Sequence, residues 1–120
     1  MRRSLALALL MLPLAGCGQG RQTIDVPGGD AARGKHVIAR VGCGGCHAIP
    51  GIRGAGGRVG PPLTGFAQRR TVAGVLPNTP EELAHWVRVP QSVVPGNDMP
   101  DLGLSKREAR DVAAYLLQKT

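Results

Sequence analysis

Hydrophobic residues recur at helical spacing in three segments of this 120-residue chain. Ahead of the first, Asp30 is a candidate helix N-cap. It is followed by one apolar face at positions i, i+3, i+4 and i+7, formed by Gly34, Val37, Ile38 and Val41. Glycine on that face would let a second helix approach closely. The pattern predicts a first helix that begins after Asp30 and runs into Gly42.

Two later segments begin with sequence signals for a helix start. Thr79-Pro80-Glu81-Glu82 combines an N-cap, a proline at the first helical position and the glutamate of a capping box. This helix has to end before Pro90. Ser105-Lys106-Arg107-Glu108 is a second capping box, and the apolar repeat after it consists of Ala109, Val112, Ala113 and Leu116. Together the three segments predict an all-α domain over residues 30–120.

The first seventeen residues have the pattern of an export signal. A basic start, Met1-Arg2-Arg3, precedes an apolar run over residues 4–14 that is too short to span a bilayer comfortably. The run ends in Leu14-Ala15-Gly16-Cys17, which resembles the bacterial lipobox, where the cysteine is acylated and becomes the new N-terminus. We therefore expect residues 1–16 to be a lipoprotein signal peptide and Cys17 to be lipidated. The alternative is an ordinary secretory signal that happens to contain a cysteine.

Residues 18–29 are rich in glycine and polar residues and have no apolar periodicity. We expect residues 17–29 to comprise the lipidated cysteine and a flexible tether. Two or more acyl chains hold a protein stably at a membrane. The protein would thus be exported and anchored to a membrane facing the periplasm, or to the outer face of the cytoplasmic membrane.

The composition leaves the predicted domain short of large apolar side chains. Phe66, Trp86 and Tyr115 are the only aromatic residues, whereas the chain has 18 glycines and 10 prolines. So short a chain buries little surface per residue, and burial has to offset the conformational entropy lost on folding. Either much of the chain is disordered, or a group that is not an amino acid fills the interior.

The positive charge narrows the choice of partners. The formal net charge is +7, and loss of residues 1–16 would leave 13 basic and 8 acidic side chains. Such a charge suits an acidic protein partner or a membrane surface. No run of Lys and Arg exceeds two residues, as at Arg69-Arg70, and no aromatic residues are interleaved with them. We therefore expect no nucleic-acid partner.

Cys43-x-x-Cys46-His47 is the attachment signature of c-type haem. Two thiols one helical turn apart can reach the two vinyl groups of one porphyrin. The histidine directly after the second cysteine then brings its imidazole under the iron. The motif predicts one haem c attached covalently through Cys43 and Cys46, with His47 as an axial ligand.

Three other chemistries use closely spaced cysteines. A thioredoxin-like pair would follow a strand in a βαβ pattern, which the sequence lacks. A zinc site would need a second ligand pair, and no further cysteine remains once Cys17 is lipidated. A disulfide between Cys43 and Cys46 would leave the interior without its missing apolar volume. Haem attachment also agrees with export, because haem is joined to such motifs outside the cytoplasm.

Met99 is the candidate for the second axial ligand. It is the only methionine after the signal segment, and it lies in the turn-rich stretch 94–100 between two predicted helices. A methionine on such a loop is badly placed for core packing, its usual role. His36 and His85 compete for the role, but both lie within predicted helices and we expect them at the surface or partly packed. Ligation by histidine and methionine suits electron transfer.

In this order, the motifs resemble a class I cytochrome c over residues 30–119. The resemblance implies three main helices packed around one covalently attached haem, with the last helix crossing the first and Tyr115 packing near Gly34. Gly60-Pro61-Pro62-Leu63 resembles the loop that follows the haem motif in this family. By that likeness, the Pro61 carbonyl accepts a hydrogen bond from the His47 Nδ1–H.

The same resemblance assigns further residues to the haem pocket. Leu63 would pack on the proximal side of the ring, Trp86 would line the crevice, and Arg69 would contact a propionate. Within the family, residues 42–105 are most similar to the cytochrome domain fused to subunit II of some bacterial haem–copper oxidases, although a lipobox and tether stand here where that branch has a copper-binding domain.

This likeness implies a monomeric, membrane-tethered carrier of single electrons between respiratory partners, not an enzyme, with a terminal oxidase as the expected recipient. Two other function classes stay open. The protein could be a fixed haem subunit of a dehydrogenase or reductase complex. It could instead be a haem-based ligand sensor, in which Met99 dissociates and a gas binds.

Overall fold

The computed structural model describes residues 20–120, and within that range four helices, two 3₁₀ turns and one short hairpin are present. The helices are α1 (Ala31–Val41), α2 (Pro80–Arg88), α3 (Pro90–Val93) and α4 (Lys106–Lys119). The strands are β1 (Thr71–Val72) and β2 (Leu76–Pro77), and the 3₁₀ turns cover Cys43–Gly45 and Phe66–Gln68. The three predicted helices are thus α1, α2 and α4. The predicted signal peptide and Cys17 lie outside the described residues.

Capping side chains fix the starts of the three main helices. The Asp30 carboxylate accepts a hydrogen bond from the Arg33 amide at 2.8 Å, and the Thr79 hydroxyl accepts one from the Glu82 amide at 3.2 Å. At Ser105 the capping box is complete, because the Glu108 carboxylate also accepts from the Ser105 amide. Each bond satisfies an amide that a helix start otherwise leaves without a partner.

Helices α1 and α4 cross at Gly34. The Cβ atom of any other residue at this position would overlap the main-chain carbonyl of Asp111 and lie 3.1 Å from the Cβ of Tyr115. The expected crossing of the first and last helices is therefore confirmed, together with the position of Tyr115. The Tyr115 hydroxyl donates a hydrogen bond to the Pro50 carbonyl at 2.7 Å, which ties α4 to the loop after α1.

An ion pair between a buried carboxylate and an exposed guanidinium lies beside this crossing. Asp111 is only 2% exposed, and its carboxylate accepts hydrogen bonds from the Arg33 guanidinium at 2.8 and 2.9 Å and from the Asp30 amide at 2.8 Å. These hydrogen bonds, with that from Arg33 the strongest, lower the pKa of Asp111. The pair joins the start of α1 to the middle of α4.

The hairpin was not foreseen from the sequence. Val72 pairs with Leu76 in antiparallel register, and the turn between them has Ala73 at φ +52° and Gly74 at φ +74°. Two consecutive residues with positive φ are typical of a tight type I′ hairpin turn. Alanine is uncommon at such a position, and each strand has only two residues, so the local pattern gave no strand signal.

The N-terminal segment is less free than predicted. Val26 is 3% exposed, and the Ile24 amide donates a hydrogen bond to the Leu117 carbonyl at 3.1 Å. The prediction of a flexible tether up to residue 29 was therefore wrong from residue 24 onward. Ile24 and Val26 are isolated apolar residues without periodicity, so the sequence alone does not show that they pack on the folded surface of α4. Among the helices of residues 20–120, none is both long and apolar enough to cross a bilayer.

Candidate functional site

A cavity of about 910 Å³ brings the predicted site residues together. Its wall includes every residue that the sequence assigned to the haem site: Cys43, Cys46, His47, Pro61, Leu63, Arg69, Trp86 and Met99. The competing histidines lie elsewhere. His36 is exposed on α1, and His85 is exposed and lines a separate cleft of about 250 Å³ between α2, α4 and the N-terminal segment.

A 3₁₀ turn directly after α1 holds the motif at the cavity: Cys43 is its first residue and Cys46 caps its end. Gly42, in a left-handed conformation at φ +81°, ends α1 directly before Cys43. The amides of Cys46 and His47 then both donate to the Cys43 carbonyl, at 3.2 and 2.9 Å. Both cysteines are free thiols, and burial raises the pKa of Cys43. The alternative of a disulfide within the motif is not what the structure contains.

Gly44, between the two cysteines, also has a steric role. A Cβ atom on Gly44 would lie 2.7 Å from the Cα of Ala55, so the chain can pass here only as glycine. The Gly57 amide donates to the Gly44 carbonyl at 3.0 Å. The loop over residues 48–60 thus packs directly on the back of the motif and holds it in place.

Two neighbours fix the His47 ring. The Pro61 carbonyl lies 2.7 Å from His47 Nδ1, which is the bond expected from the family resemblance. A carbonyl oxygen can only accept, so Nδ1 carries a proton and Nε2 of the neutral ring keeps the lone pair that a metal ligand needs. A Cβ on Gly60 would lie 2.7 Å from Nδ1 and closer still to Cε1. The Gly60 backbone therefore packs directly against the imidazole.

Met99 lines the same cavity from the loop between α3 and α4, where its side chain is half buried. Both of its backbone polar groups are hydrogen-bonded to side chains, the amide to Asn97 and the carbonyl to Gln91. The structure thus brings the thioether and the imidazole of His47 to one cavity, although they lie far apart in sequence.

Arg69 brings a positive charge to the cavity wall. Its guanidinium stacks over the Phe66 ring at 4.6 Å from the centroid and donates to the Pro62 carbonyl. Burial lowers the pKa of Arg69, but an arginine in a protein stays protonated. Its predicted contact with a haem propionate stays a prediction, and the stacking explains why this arginine is partly buried while Arg70 is exposed.

The residues present fit a haem c. Two thiols, one imidazole with a free nitrogen lone pair and one thioether surround a mainly apolar cavity, and these are the attachment groups and iron ligands of cytochromes c. The volume falls within the range of protein ligand pockets. Within residues 20–120, no group of three or more His, Cys, Asp or Glu side chains could hold a separate metal ion, as a zinc site would require.

Several wall residues have no sequence signal that assigns them to the site. The hairpin contributes Val72, Ala73 and Gly74 to the wall, and Ile38 of α1 and Phe66 add apolar surface. Only Gly60 has a usable signal, because it opens the Gly-Pro-Pro-Leu segment that contains Pro61. Asn97, which also lines the cavity, has none, since it is a polar residue in a turn-rich stretch.

Comparison with known proteins agrees with this site. The family model for cytochrome c matches residues 31–120. The chain belongs to the cytochrome c family. It is a class I, mono-haem cytochrome with one covalently attached haem c, and both cysteines of the attachment motif are present. The predicted fold class is thereby confirmed.

Relatives of this cytochrome fall into two groups. It is 39% identical over 87 residues to cytochrome c oxidase subunit 2 of Alkalihalophilus pseudofirmus, which is 72% of this chain and 25% of that subunit. It is 36% identical over 107 residues to cytochrome c2 of Agrobacterium tumefaciens, covering 74% of this chain and 91% of the relative. It is also 33% identical to cytochrome c of Chlamydomonas reinhardtii, covering 80% and 95%. The chain thus spans about a quarter of the oxidase subunit but nearly all of the single-domain cytochromes.

Proposed function

We propose that this haem electron carrier is tethered to a membrane by a lipid on Cys17 and delivers single electrons to a terminal oxidase. The observation that carries the proposal is the convergence of the Cys43–His47 motif and Met99 on one apolar cavity. When bound, haem c supplies a reversible one-electron couple, and the protein tunes it through the axial ligands and the polarity around them.

In this proposal each wall residue has a defined task. Cys43 and Cys46 hold the cofactor covalently, and His47 and Met99 ligate the iron. The Pro61 carbonyl fixes the proton of His47 on Nδ1, which leaves Nε2 for the metal. The buried side chains of Leu63 and Phe66 exclude water, so that both oxidation states keep the same ligands.

The exposed side of the cavity is a candidate docking face. Val59 and Arg70 both line the cavity, and both are exposed, Val59 to 71%. An apolar contact flanked by positive charge favours an acidic partner and speeds encounter, with rates that fall as salt is added. Arg88, by contrast, lines the separate cleft with His85, away from this face.

The oxidase as recipient rests on likeness. Three relatives are named cytochrome c oxidase subunit 2, two of them from Bacillus, so the partner proposed here is an oxidase of that kind. The tether rests on the lipobox resemblance around Cys17. We propose that the protein acts as a monomer and that it transfers electrons without catalysing a reaction of its own.

Replacement of the proposed ligand tests the assignment. In Met99→Ala, the sulfur-to-iron charge-transfer band of the ferric protein should vanish and the midpoint potential should fall. His36→Ala and His85→Ala are matched controls, because they remove the two competing ligands, and both should leave band and potential unchanged. An unaltered spectrum and potential in Met99→Ala would show that the ligand is a different residue.

Four further measurements address the finer parts of the proposal. Cys17→Ser should move the protein from the membrane to the soluble fraction, and persistent membrane partition would refute the lipid anchor. The reduced protein should be oxidised by membranes that contain a terminal oxidase, at a rate that falls with ionic strength. A strong carbon monoxide shift at neutral pH would favour a ligand sensor, and stoichiometric copurification with one partner would favour a fixed subunit.

A further inference from the structure

Gln91 of α3 holds the loop that carries Met99. Its side-chain Nε2 donates hydrogen bonds to the carbonyls of Met99 and Asn97, at 2.8 and 2.9 Å. Its Oε1 accepts one from the Gly96 amide at 3.1 Å. Both amide hydrogens and the amide oxygen of this side chain are therefore bonded to backbone groups of a single loop.

Asn97 completes the arrangement from the opposite direction. Its Nδ2 donates to the carbonyls of Val94 and Pro90, at 2.6 and 3.1 Å, and its Oδ1 accepts from the Met99 amide at 2.7 Å. The amide and the carbonyl of Met99 are thus held by two different side chains. The position of its Cα is set by these two residues.

The loop depends on these bonds because it has no regular structure of its own. Residues 94–105 form neither helix nor strand, and Gly96 turns the chain at φ +80°. Side-chain amides therefore take the place of a hydrogen-bond ladder. Gln91 itself is held firmly in place. The adjacent Pro90 is fully buried, and the Gln91 backbone amide donates a hydrogen bond to the Asp101 carboxylate at 3.3 Å.

We propose that Gln91 is a positioning residue for the Met99 thioether: it holds the loop so that the sulfur stays at the iron. This inference rests on the proposed role of Met99 as axial ligand. Gln91 is not among the residues that line the cavity, so it acts through the loop and not by contact with the cofactor. Loss of its bonds would leave two carbonyls and one amide to find new partners.

The test is the binding of imidazole to the ferric, haem-loaded full chain, because imidazole can reach the iron only when Met99 leaves. Gln91→Leu removes all three side-chain hydrogen bonds. Gln91→Glu keeps the shape of the side chain, but it replaces the amide group that donates to two carbonyls with an oxygen that can only accept. We expect each to bind imidazole about tenfold more tightly than wild type, since a lost bond of about 1.4 kcal/mol is tenfold in an equilibrium constant. In both Gln91 variants, the sulfur-to-iron charge-transfer band should also be lost at a lower temperature than in the wild-type protein.

Gln68 offers a matched control. Its Nε2 likewise donates to a backbone carbonyl, that of Gln22 at 3.3 Å, but it lies outside the Met99 loop and the cavity. Gln68→Leu and Gln68→Glu should leave imidazole affinity at the wild-type value. A global unfolding midpoint measured on every variant separates a general loss of stability from a local release of Met99.

The outcomes separate this inference from the ligand assignment. Wild-type imidazole affinity and an intact band in both Gln91 variants would overturn the positioning role, even if the unfolding midpoint fell. If Met99→Ala leaves the band and the imidazole affinity unchanged, the ligand assignment itself fails. If Met99→Ala abolishes the band while the Gln91 variants behave like wild type, only the positioning role fails.

Discussion

Gly34 of α1 packs directly against the main-chain carbonyl of Asp111 in α4, with no space for a side chain between them. The crossing brings the haem motif close to α4. Helix α1 leads directly into the motif through Gly42, and Val112 and Leu116 of α4 line the cavity. Close approach at one glycine therefore sets the geometry of one side of the site.

Gly34→Ala should be among the most destabilising single substitutions in this domain. The added methyl group overlaps backbone, which cannot rotate away, so the helices have to separate. We expect a loss of about 3 kcal/mol in the free energy of unfolding, measured by denaturant titration of the haem-loaded protein. Gly56→Ala is the control, because open space surrounds that Cβ position, and it should change stability little. Equal midpoints for both variants would refute the close crossing.

Asp111 should make the stability of the protein depend on acid pH. Its pKa is lowered in the folded state, chiefly by Arg33, so its contribution is present above the ordinary aspartate pKa of about 3.9 and is lost as the pH falls through the lower folded value. Asp111→Asn should cost about 1–3 kcal/mol at pH 7.

The dependence of stability on pH, measured for wild type and variants, tests the role of the Asp111 carboxylate. Wild type should lose more stability than Asp111→Asn between pH 7 and pH 3, because asparagine does not titrate. Asp25→Asn, at an exposed position, should follow the wild-type curve. Parallel pH curves for wild type and Asp111→Asn would contradict the ion pair with Arg33.

Gly60→Ala should disturb the proposed proximal ligand. The new methyl group would push the His47 ring from its place beside the Pro61 carbonyl. We expect a smaller fraction of low-spin haem in the optical spectrum of the purified protein. We also expect a changed midpoint potential in a redox titration followed by that spectrum. The Gly56→Ala protein again serves as the control. A Gly60→Ala spectrum identical to that of wild type would mean that the ring does not depend on this contact.

The apo protein should not fold stably. Many of the buried core residues line the haem cavity, among them Ile38, Leu83 and Val87, so a large cavity adjoins the core when the cofactor is absent. A Cys43→Ala/Cys46→Ala double variant, produced in the cytoplasm without the signal, should give a largely unfolded circular dichroism spectrum. A cooperative, native-like melt would show that the amino-acid core suffices.

The parts of the fold that the sequence predicted are those with local signals. Three helix starts could be predicted, at Asp30, Thr79 and Ser105, because a capping side chain bonds to an amide only three residues away. The haem attachment motif could be predicted because all its groups lie within five consecutive residues, Cys43 to His47. The hairpin at Ala73 and the docking of Val26 on α4 had no such signal. Both depend on surfaces that exist only after distant segments have packed.

The same distinction applies within the site. Pro61 and Leu63 were predicted through the likeness of their motif to a known family. Gln91 and Asn97 were not, because their side chains bond to backbone groups of a loop whose shape cannot be read from its turn-forming residues. Hydrogen bonds between a side chain and an irregular backbone become visible only in three dimensions.

A redox titration of the purified full chain, followed through its visible spectrum, tests the function most directly. One haem ligated by His47 and Met99 predicts a single, reversible one-electron transition, with a sulfur-to-iron charge-transfer band in the oxidised form only. Several transitions, an irreversible change, or an oxidised form without that band would contradict a mono-haem electron carrier built on these two ligands.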